Sequence, residues 1–202
     1  PLIVFLHGAG ERGDDNVSQT NAGIGNAIRK DPTRFPAIIL MPQCPNNQVW
    51  NTCHDALDAQ LAETRKQYNI DDTRIYLTGL SMGGYGAWLW GAIHTDTFAA
   101  IMPICGGGDP LAIQKLLNVG GGNPYGSHAS RLRALATVPI WAFHGGADGV
   151  VPTQGTRDMV AAIKARGGDI QYTEYEGVGH NSWDKAYQES KGIEWLLKQK
   201  KG

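Results

Sequence analysis

Residues 75–86, IYLTGLSMGGYG, predict a strand that turns sharply into a helix. The stretch begins with a short β-prone run, and residues 85–93, YGAWLWGAI, are largely apolar, which is typical of a buried helix. Between them, residues 79–83 (GLSMG) fit the pattern G-x-S-x-G. Glycines two positions to either side of Ser81 let the backbone approach its neighbours closely in a tight turn. The sequence therefore predicts that this turn exposes the Ser81 hydroxyl at the end of a strand.

Short apolar runs alternate with segments that carry helical signals. Six runs predict buried strands, at residues 2–7, 37–42, 75–79, 99–105, 139–145 and 170–176. Further helices are predicted at 54–68, at 153–166 with Thr153 as the N-cap, and at 184–199. Apolar strands that alternate with helices favour an α/β fold, with a mostly parallel sheet of about six strands and helices on both faces.

The length and charge of the chain limit the classes of function. A chain of 202 residues is expected to form one domain, in which residues 111–138 are longer than a simple crossover needs and predict a small cap or lid. The net charge of −1 gives no electrostatic basis for binding nucleic acid or an anionic membrane surface. No apolar run approaches the roughly 20 residues of a membrane span.

Three chemically distinct side chains are predicted at one edge of the sheet, because the carboxyl ends of parallel strands meet there. Ser81 follows the third apolar run, Asp148 follows the fifth and His180 follows the sixth. A serine hydroxyl is a weak nucleophile and needs an adjacent base, which a carboxylate in turn orients. The order Ser81, Asp148, His180 along the chain therefore predicts a nucleophile, an orienting acid and a general base.

Other histidines compete with His180 for the role of the base. His54 and His94 lie near predicted helix ends, where a solvated or capping role is expected. His7 and His144 precede glycines at strand ends, where an imidazole usually braces a loop. His180 follows both the acid and the last strand, and flanking glycines allow its loop to fold inward.

Asp148 has two rivals as the acid. Asp169 begins the last strand at the opposite edge of the sheet, and Asp184 is expected at the start of a helix. A turn-stabilising role is the alternative for Asp148 itself.

Several stretches spread over nearly the whole chain resemble a known family. They are FLHGAGERGDDN (5–16), PQCPNNQVW (42–50), YLTGLSMGGYGAW (76–88), PICGGGDP (103–110), PIWAFHGGADGVVP (139–152) and GVGHNSW (177–183). On these residues the chain resembles α/β-hydrolases of the small esterase type, near the phospholipase/carboxylesterase, dienelactone hydrolase and feruloyl/acetylxylan esterase groups. The resemblance implies a serine esterase in which the strands that usually precede the first run are missing.

The start of the chain bears on where the protein is located. It begins at Pro1 without a methionine, so we expect that upstream sequence was removed or belongs to a longer protein. A secreted protein is therefore favoured over a cytoplasmic one.

Acyl transfer also needs N–H donors for the oxyanion of its tetrahedral intermediate. The serine turn presents the Met82 N–H, and the resemblance implies Ala9 as the second donor, with Gly10 as the alternative. Glu11 and Arg12 resemble the G-E-R-G turn of the family. A loop-bracing ion pair between them is the interpretation that we favour.

Aromatic residues at the same edge are candidates for a substrate wall. Trp50 ends the polar loop after the second strand, and Trp183 lies three residues past His180. An aromatic wall suits a sugar ring or an aromatic acyl group, and buried packing is the alternative for either tryptophan.

The three cysteines are too few for a disulfide scaffold and lack the spacing of a metal site. Cys105 lies in an apolar run and is expected to be a buried thiol. Cys44 and Cys53 flank a polar loop and could form a disulfide, which would indicate an exported protein.

Three functions remain open. The first is a serine carboxylic-ester hydrolase that acts through an acyl-enzyme, with no metal or cofactor, on a small-molecule or polysaccharide-linked ester of a short-chain or compact acyl group. The resemblance makes acetyl or feruloyl esters of plant polysaccharide candidates. The second is a serine peptidase of the prolyl oligopeptidase type, which shares this fold and residue order. The third is a non-catalytic binding domain, which would have no need for the strained serine turn.

Overall fold

A sheet of six parallel strands forms the centre of the computed structural model, which describes residues 1–115 and 128–202. The strands are β1 (Leu2–Leu6), β2 (Ile38–Leu40), β3 (Ile75–Leu80), β4 (Ala100–Ile104), β5 (Ile140–Gly145) and β6 (Ile170–Tyr175). They lie in the order β2-β1-β3-β4-β5-β6, and each neighbouring pair is parallel. The predicted fold class and its six strands are confirmed.

Helices cover both faces of the sheet. Alternate residues of each strand point to opposite faces, so each face of the sheet contributes to its own apolar cluster. Leu2 and Val4 of β1 belong to one apolar cluster, whereas Ile3 and Phe5 belong to the other. Residues of five helices contribute to the first cluster: α2 (His54–Gln67), α3 (Met82–Ile93), α4 (Pro110–Lys115), α5 (His128–Leu135) and α6 (Thr153–Lys164). The second cluster includes residues of α1 (Ile24–Lys30) and α7 (Gly192–Lys198).

The helix predicted over residues 184–199 is wrong in its middle. A π-helical turn at Lys185–Glu189 precedes α7, and Ser190 between them is extended, with φ −80° and ψ 168°. Arg34 provides a physical reason, because its guanidinium donates hydrogen bonds to the carbonyls of Tyr187 and Ser190, at 3.0 and 2.8 Å. These two carbonyls thus accept hydrogen bonds from Arg34 and not from the backbone N–H groups of a continuous helix.

The N-cap predicted for α6 is also wrong. Pro152 occupies the N-cap position and Thr153 is the first helical residue, and neither side chain makes a capping hydrogen bond. The predicted region 111–138 contains part of α4 and all of α5, and α5 packs on α3 and α6. Residues 116–127 lie outside the described residues, so a cap or lid in this region stays a prediction.

All three cysteines are buried free thiols. The sulfurs of Cys44 and Cys53 lie 3.8 Å apart, in contact but not bonded to each other. Within the described ranges, no helix is long and apolar enough to cross a membrane.

Substitution of Gly83 by alanine should destabilise the protein, because the new Cβ would lie 1.9 Å from the carbonyl oxygen of Leu6 in a central strand. We expect Gly83→Ala to lose about 3 kcal/mol or more of unfolding free energy, or to fail to fold, since neither backbone segment can move away. Urea denaturation measures this loss. Gly149→Ala is the control, because its Cβ would meet no atom within 4 Å. Equal stability of the two variants would contradict the prediction.

Candidate active site

Ser81 lies between β3 and α3 in a backbone conformation that residues with a side chain rarely adopt. Its φ is 51° and its ψ is −117°. The neighbouring glycines permit this turn, since a Cβ on Gly79 would lie 2.3 Å from the carbonyl oxygen of Gly83. The Ser81 N–H donates to the Ile104 carbonyl at 3.0 Å, which ties the turn to the end of β4. The predicted strand–turn–helix is therefore present, with Ser81 at its tip.

Hydrogen bonds connect the three residues that the sequence predicted as nucleophile, base and acid. His180 Nε2 lies 2.9 Å from Ser81 Oγ, and His180 Nδ1 lies 2.7 Å from Asp148 Oδ2. A carboxylate accepts, so Nδ1 carries the proton and Nε2 is free to accept from the Ser81 hydroxyl. The order of these contacts is the one that transfers a proton from a serine to an imidazole.

The carboxylate of Asp148 is fully buried but well supplied with donors. Its Oδ1 accepts the backbone N–H groups of Val150 and Val151 at 2.8 and 2.9 Å. Burial alone would raise the pKa of Asp148, but the hydrogen bonds from His180 and from these two N–H groups outweigh burial, and the pKa lies below its usual value. The acid is therefore ionised at neutral pH.

A second imidazole, that of His144, contacts the same carboxylate. The sequence predicts only a loop-bracing role for this histidine. His144, near the end of β5, places its Nε2 3.1 Å from Asp148 Oδ2 and is fully buried. The signal in the sequence was the His-Gly pair four residues before the acid. That pattern shows the spacing but not the direction of the side chain.

The two predicted oxyanion donors are both first residues of helices. Met82 begins α3, and Ala9 begins a short 3-10 helix at Ala9–Glu11. The first N–H groups of a helix have no acceptor within it, so they are available to a ligand. The adjacent loop packs on the serine turn, because a Cβ on Gly8 would lie 3.6 Å from Ser81 Cβ.

A buried imidazole also braces the loop that carries Ala9. His7 Nδ1 lies 2.6 Å from the Gly8 carbonyl, and His7 Nε2 accepts the Cys44 N–H at 2.9 Å. Burial lowers the pKa of His7 and the charge of Arg12 lowers it further, against an opposing contribution from the Gly8 hydrogen bond. His7 is therefore a neutral brace.

Arg12 braces the same loop, but not through the ion pair that we expected with Glu11. Its Nε donates to the Ala9 carbonyl at 2.9 Å, and its Nη1 donates to the carbonyls of Asn46 and Gln48 at 3.4 and 3.3 Å. No ion pair joins these two described side chains, and a carboxylate oxygen of Glu11 lies 4.0 Å from His7 Nδ1. The bracing partners are thus backbone carbonyls.

The two tryptophans predicted as a substrate wall differ. Trp50 is only 2% exposed, its Nε1 donates to the His7 carbonyl at 2.8 Å, and its ring packs edge-on against the His7 ring. This burial corrects the expectation for Trp50, which is a core residue. Trp183 is partly exposed and lies edge-on to the His180 ring, with ring centroids 5.4 Å apart. Trp183 alone of the pair lies where a substrate could reach it.

The sheet is parallel and has helices on both faces. A serine, a histidine and an aspartate are linked by hydrogen bonds at the carboxyl ends of its strands. Together these features define an α/β-hydrolase fold of the serine hydrolase class. Residues 46–201 match the prolyl oligopeptidase family. Because this match includes more than half of the chain, the chain belongs to that family.

Individual relatives are named as hydrolases of esters. A solved thermostable esterase has 36% sequence identity and a TM-score of 0.84, over 100% of this chain and 55% of that chain. The poly(3-hydroxybutyrate) depolymerase of Ralstonia pickettii is 28% identical over 116 residues, which are 50% of this chain and 24% of the depolymerase. A solved ferulic acid esterase is 16% identical, with a TM-score of 0.68 over 98% of this chain and 84% of its own, and shows the fold alone. The chain thus spans only part of the first two proteins.

The strained turn predicts an unusual stability effect at Ser81. Glycine tolerates a positive φ, so Ser81→Gly should relieve strain that Ser81→Ala retains. Strain of about 1–3 kcal/mol, less the roughly 0.5–1 kcal/mol that glycine loses in chain entropy, leaves about 0–2.5 kcal/mol in favour of glycine. Thermal melting should therefore place Ser81→Gly about 2–4 °C above Ser81→Ala. A glycine variant that melts below the alanine variant would show that the turn is not strained.

Proposed function

We propose that this chain is the catalytic unit of a serine carboxylic-ester hydrolase. The observation that carries the proposal is the continuous hydrogen-bond path from Ser81 Oγ through His180 to Asp148. Each of the three side chains lies on a different loop at one edge of the sheet, so their contact results from tertiary structure and not from proximity in sequence. The sequence similarity to a thermostable esterase supports the same class of reaction.

In the first half of the reaction, Ser81 Oγ attacks the carbonyl carbon of the ester while His180 Nε2 takes the hydroxyl proton. Asp148 keeps the imidazole in the required tautomer and stabilises the imidazolium. The N–H groups of Met82 and Ala9 receive the negative charge that forms on the carbonyl oxygen. When the C–O bond of the ester breaks, the imidazolium gives its proton to the leaving alkoxide, and the acyl group stays on Ser81.

In the second half, water attacks the carbonyl carbon of the acyl-enzyme. His180 takes a proton from the water, and the same two N–H groups receive the oxyanion. Collapse of the intermediate breaks the bond to Ser81 Oγ, which regains its proton from the imidazolium. The products are a carboxylic acid and the free enzyme, and the chemistry balances without a metal or redox cofactor.

A cavity of about 430 Å³ supports a compact acyl group: Ser81, Asp148 and His180 do not line it, but residues of the segments that follow Ser81 and Asp148 do. Its walls come from segments that adjoin the site: Tyr85, whose N–H donates to the Ser81 carbonyl at 3.1 Å, Gly107 after β4, and Pro152 after the Asp148 turn. Trp88 and Ile113 make the deeper wall apolar. A space of this size fits a short aliphatic or an aromatic acyl group, including the feruloyl class.

The position of the cavity suits the acyl group of the ester better than the alcohol of the ester. The loop with Ala9 follows β1 on one side of β3, whereas the loop with Gly107 follows β4 on the other side. The carbonyl oxygen would point toward the β1 side, which leaves the cavity for the acyl group through both halves of the reaction. The alcohol must reach His180, beside the partly exposed Trp183, and leave toward solvent. An alcohol linked to polysaccharide fits this open side.

Removal of the Ser81 hydroxyl should abolish ester hydrolysis. We expect Ser81→Ala to lose about 10⁴-fold or more in kcat on p-nitrophenyl acetate, because no other group in the site can form the acyl-enzyme. A fluorophosphonate probe should label the wild type at Ser81, as peptide mass spectrometry would show, and leave Ser81→Ala unlabelled. A wild type that neither turns over the ester nor reacts with the probe would overturn the proposed function.

A serine peptidase is the second candidate, because the family match is to prolyl oligopeptidases. An amide substrate, a prolyl anilide, separates it from an esterase when assayed beside the acetate and methyl ferulate. We expect ester turnover to exceed anilide turnover. The reverse order would favour a peptidase, with Ser81→Ala as the control for both activities.

The cavity predicts selectivity that one substitution can change. Ala112 is exposed and lines the cavity, so Ala112→Trp should fill part of the space without disturbing the core. We expect kcat/KM to fall about tenfold for p-nitrophenyl octanoate and to stay within about twofold for the acetate. Ala161→Trp, at an exposed position of α6 outside the cavity lining, is the matched control. An equal loss on the acetate and the octanoate would contradict the acyl assignment.

A further inference from the structure

We propose that His144 is a positioning residue for Asp148, and that its Nε2–H bond to the carboxylate sets the pH range in which His180 acts as a base. The inference rests on the proposed function, since it concerns the acid of the same site. Proton transfer through Ser81, His180 and Asp148 requires only one imidazole. In this site a second buried imidazole, that of His144, contacts the carboxylate oxygen that already contacts His180.

The partners of His144 define which of its nitrogens carries the proton. Nε2 lies 3.1 Å from Asp148 Oδ2 and 3.0 Å from the Val151 carbonyl, and both of these oxygens only accept. Nε2 must therefore be the donor. Nδ1 lies 2.8 Å from Thr156 Oγ1, whose hydroxyl can donate either to Nδ1 or to the Gly106 carbonyl at 3.3 Å. The proton on Nε2 is therefore the feature that the contacts of His144 fix, and it is the one that faces Asp148.

The arrangement is enclosed, so water cannot substitute for any of these bonds. The side chains of His144 and Asp148 are both fully buried, and Thr156 is 1% exposed. In a buried site, a hydrogen bond to a charged carboxylate has more effect than the same bond in solvent. Asp148 Oδ2 therefore has two imidazole donors, while Oδ1 has two backbone donors.

Other ionisable groups near His144 have their own partners. Glu174 is opposite His144 in the register of β5 and β6, and it is bound by Arg157 at 2.9 and 2.5 Å and by the Tyr172 hydroxyl at 2.7 Å. At the end of β4, burial raises the pKa of the Cys105 thiol to about 12, so that this group is uncharged. Asp148 is the carboxylate that His144 contacts.

The bond has a predictable consequence for the base. A donor to Asp148 Oδ2 draws charge from the carboxylate, which makes it a weaker acceptor for the Nδ1–H of His180. Loss of that donor strengthens the interaction of Asp148 with the imidazolium form of His180. The acidic limb of the kcat/KM profile reports protonation of the base in the free enzyme, so it should move to higher pH.

The test compares three substitutions in the whole chain. His144→Leu removes the donor, His144→Gln keeps an amide N–H near the place of Nε2, and His54→Gln changes a buried histidine of α2 outside the site. With p-nitrophenyl acetate, we expect His144→Leu to move the acidic limb up by about half a pH unit or more. His144→Gln should restore most of the wild-type limb, and His54→Gln should not change it. Equal profiles for His144→Leu and the wild type would overturn the proposal.

A spectroscopic readout keeps the inference separate from the activity. In the Ser81→Ala protein, nitrogen NMR of labelled histidines should show a proton on His144 Nε2, and it should follow the titration of His180. In Ser81→Ala, the further substitution His144→Leu should shift the His180 nitrogen resonances to the imidazolium position at a higher pH than in Ser81→Ala alone, and His144→Met, which also lacks the donor, replaces it if the leucine variant does not fold. The opposite tautomer of His144, or an unchanged His180 titration, would overturn the proposal. If the wild type hydrolyses no ester while these NMR shifts appear, the proposed function fails and the positioning inference stands.

Discussion

The helix that follows Ser81 packs with its first turn directly on the ends of two strands, and the rest of the site depends on this contact. A Cβ on Gly83 would meet the Leu6 carbonyl of β1, and a Cβ on Gly84 would lie 2.6 Å from the Ile104 carbonyl of β4. The turn is thereby fixed from both sides, which maintains the positive φ of Ser81. Because β1 and β4 flank β3, the same packing places the Ala9 loop on one side of the serine turn and the segment after β4 on the other.

The site also depends on a buried negative charge, that of Asp148, which needs enough hydrogen-bond donors around it. Removing a carboxylate from water is expensive, and the protein offsets that cost with hydrogen bonds from two backbone N–H groups and two imidazoles. The backbone donors come from Val150 and Val151, in the turn that Asp148 itself begins. Asp148 thus has its supporting groups largely within its own loop and strand, while His180 approaches from the loop after β6.

Much of this arrangement could be predicted from the sequence, because the decisive signals are local. The apolar runs indicate the strands, and residues 79–83 indicate the turn without knowledge of any distant partner. The errors come from interactions across the chain. The helix at 184–199 breaks where Arg34, far away in sequence, binds its carbonyls. Trp50 follows a loop at the active-site edge, but a pattern does not show that its indole turns inward to His7. The contact of His144 with Asp148 likewise depends on a side-chain direction that periodicity does not encode.

The buried thiols give the molecule internal reporters of local opening. Burial raises the pKa values of both Cys44 and Cys105 to about 12, so neither thiol reacts appreciably as a thiolate in the closed protein. Cys44 lies beside the brace of the Ala9 loop, and Cys105 directly follows the strand to which the serine turn is tied. The rate at which an alkylating reagent modifies each cysteine therefore measures how often its own segment opens. Two thiols with the same chemistry allow the mobility of the Ala9 loop and that of the serine turn to be followed separately in one sample.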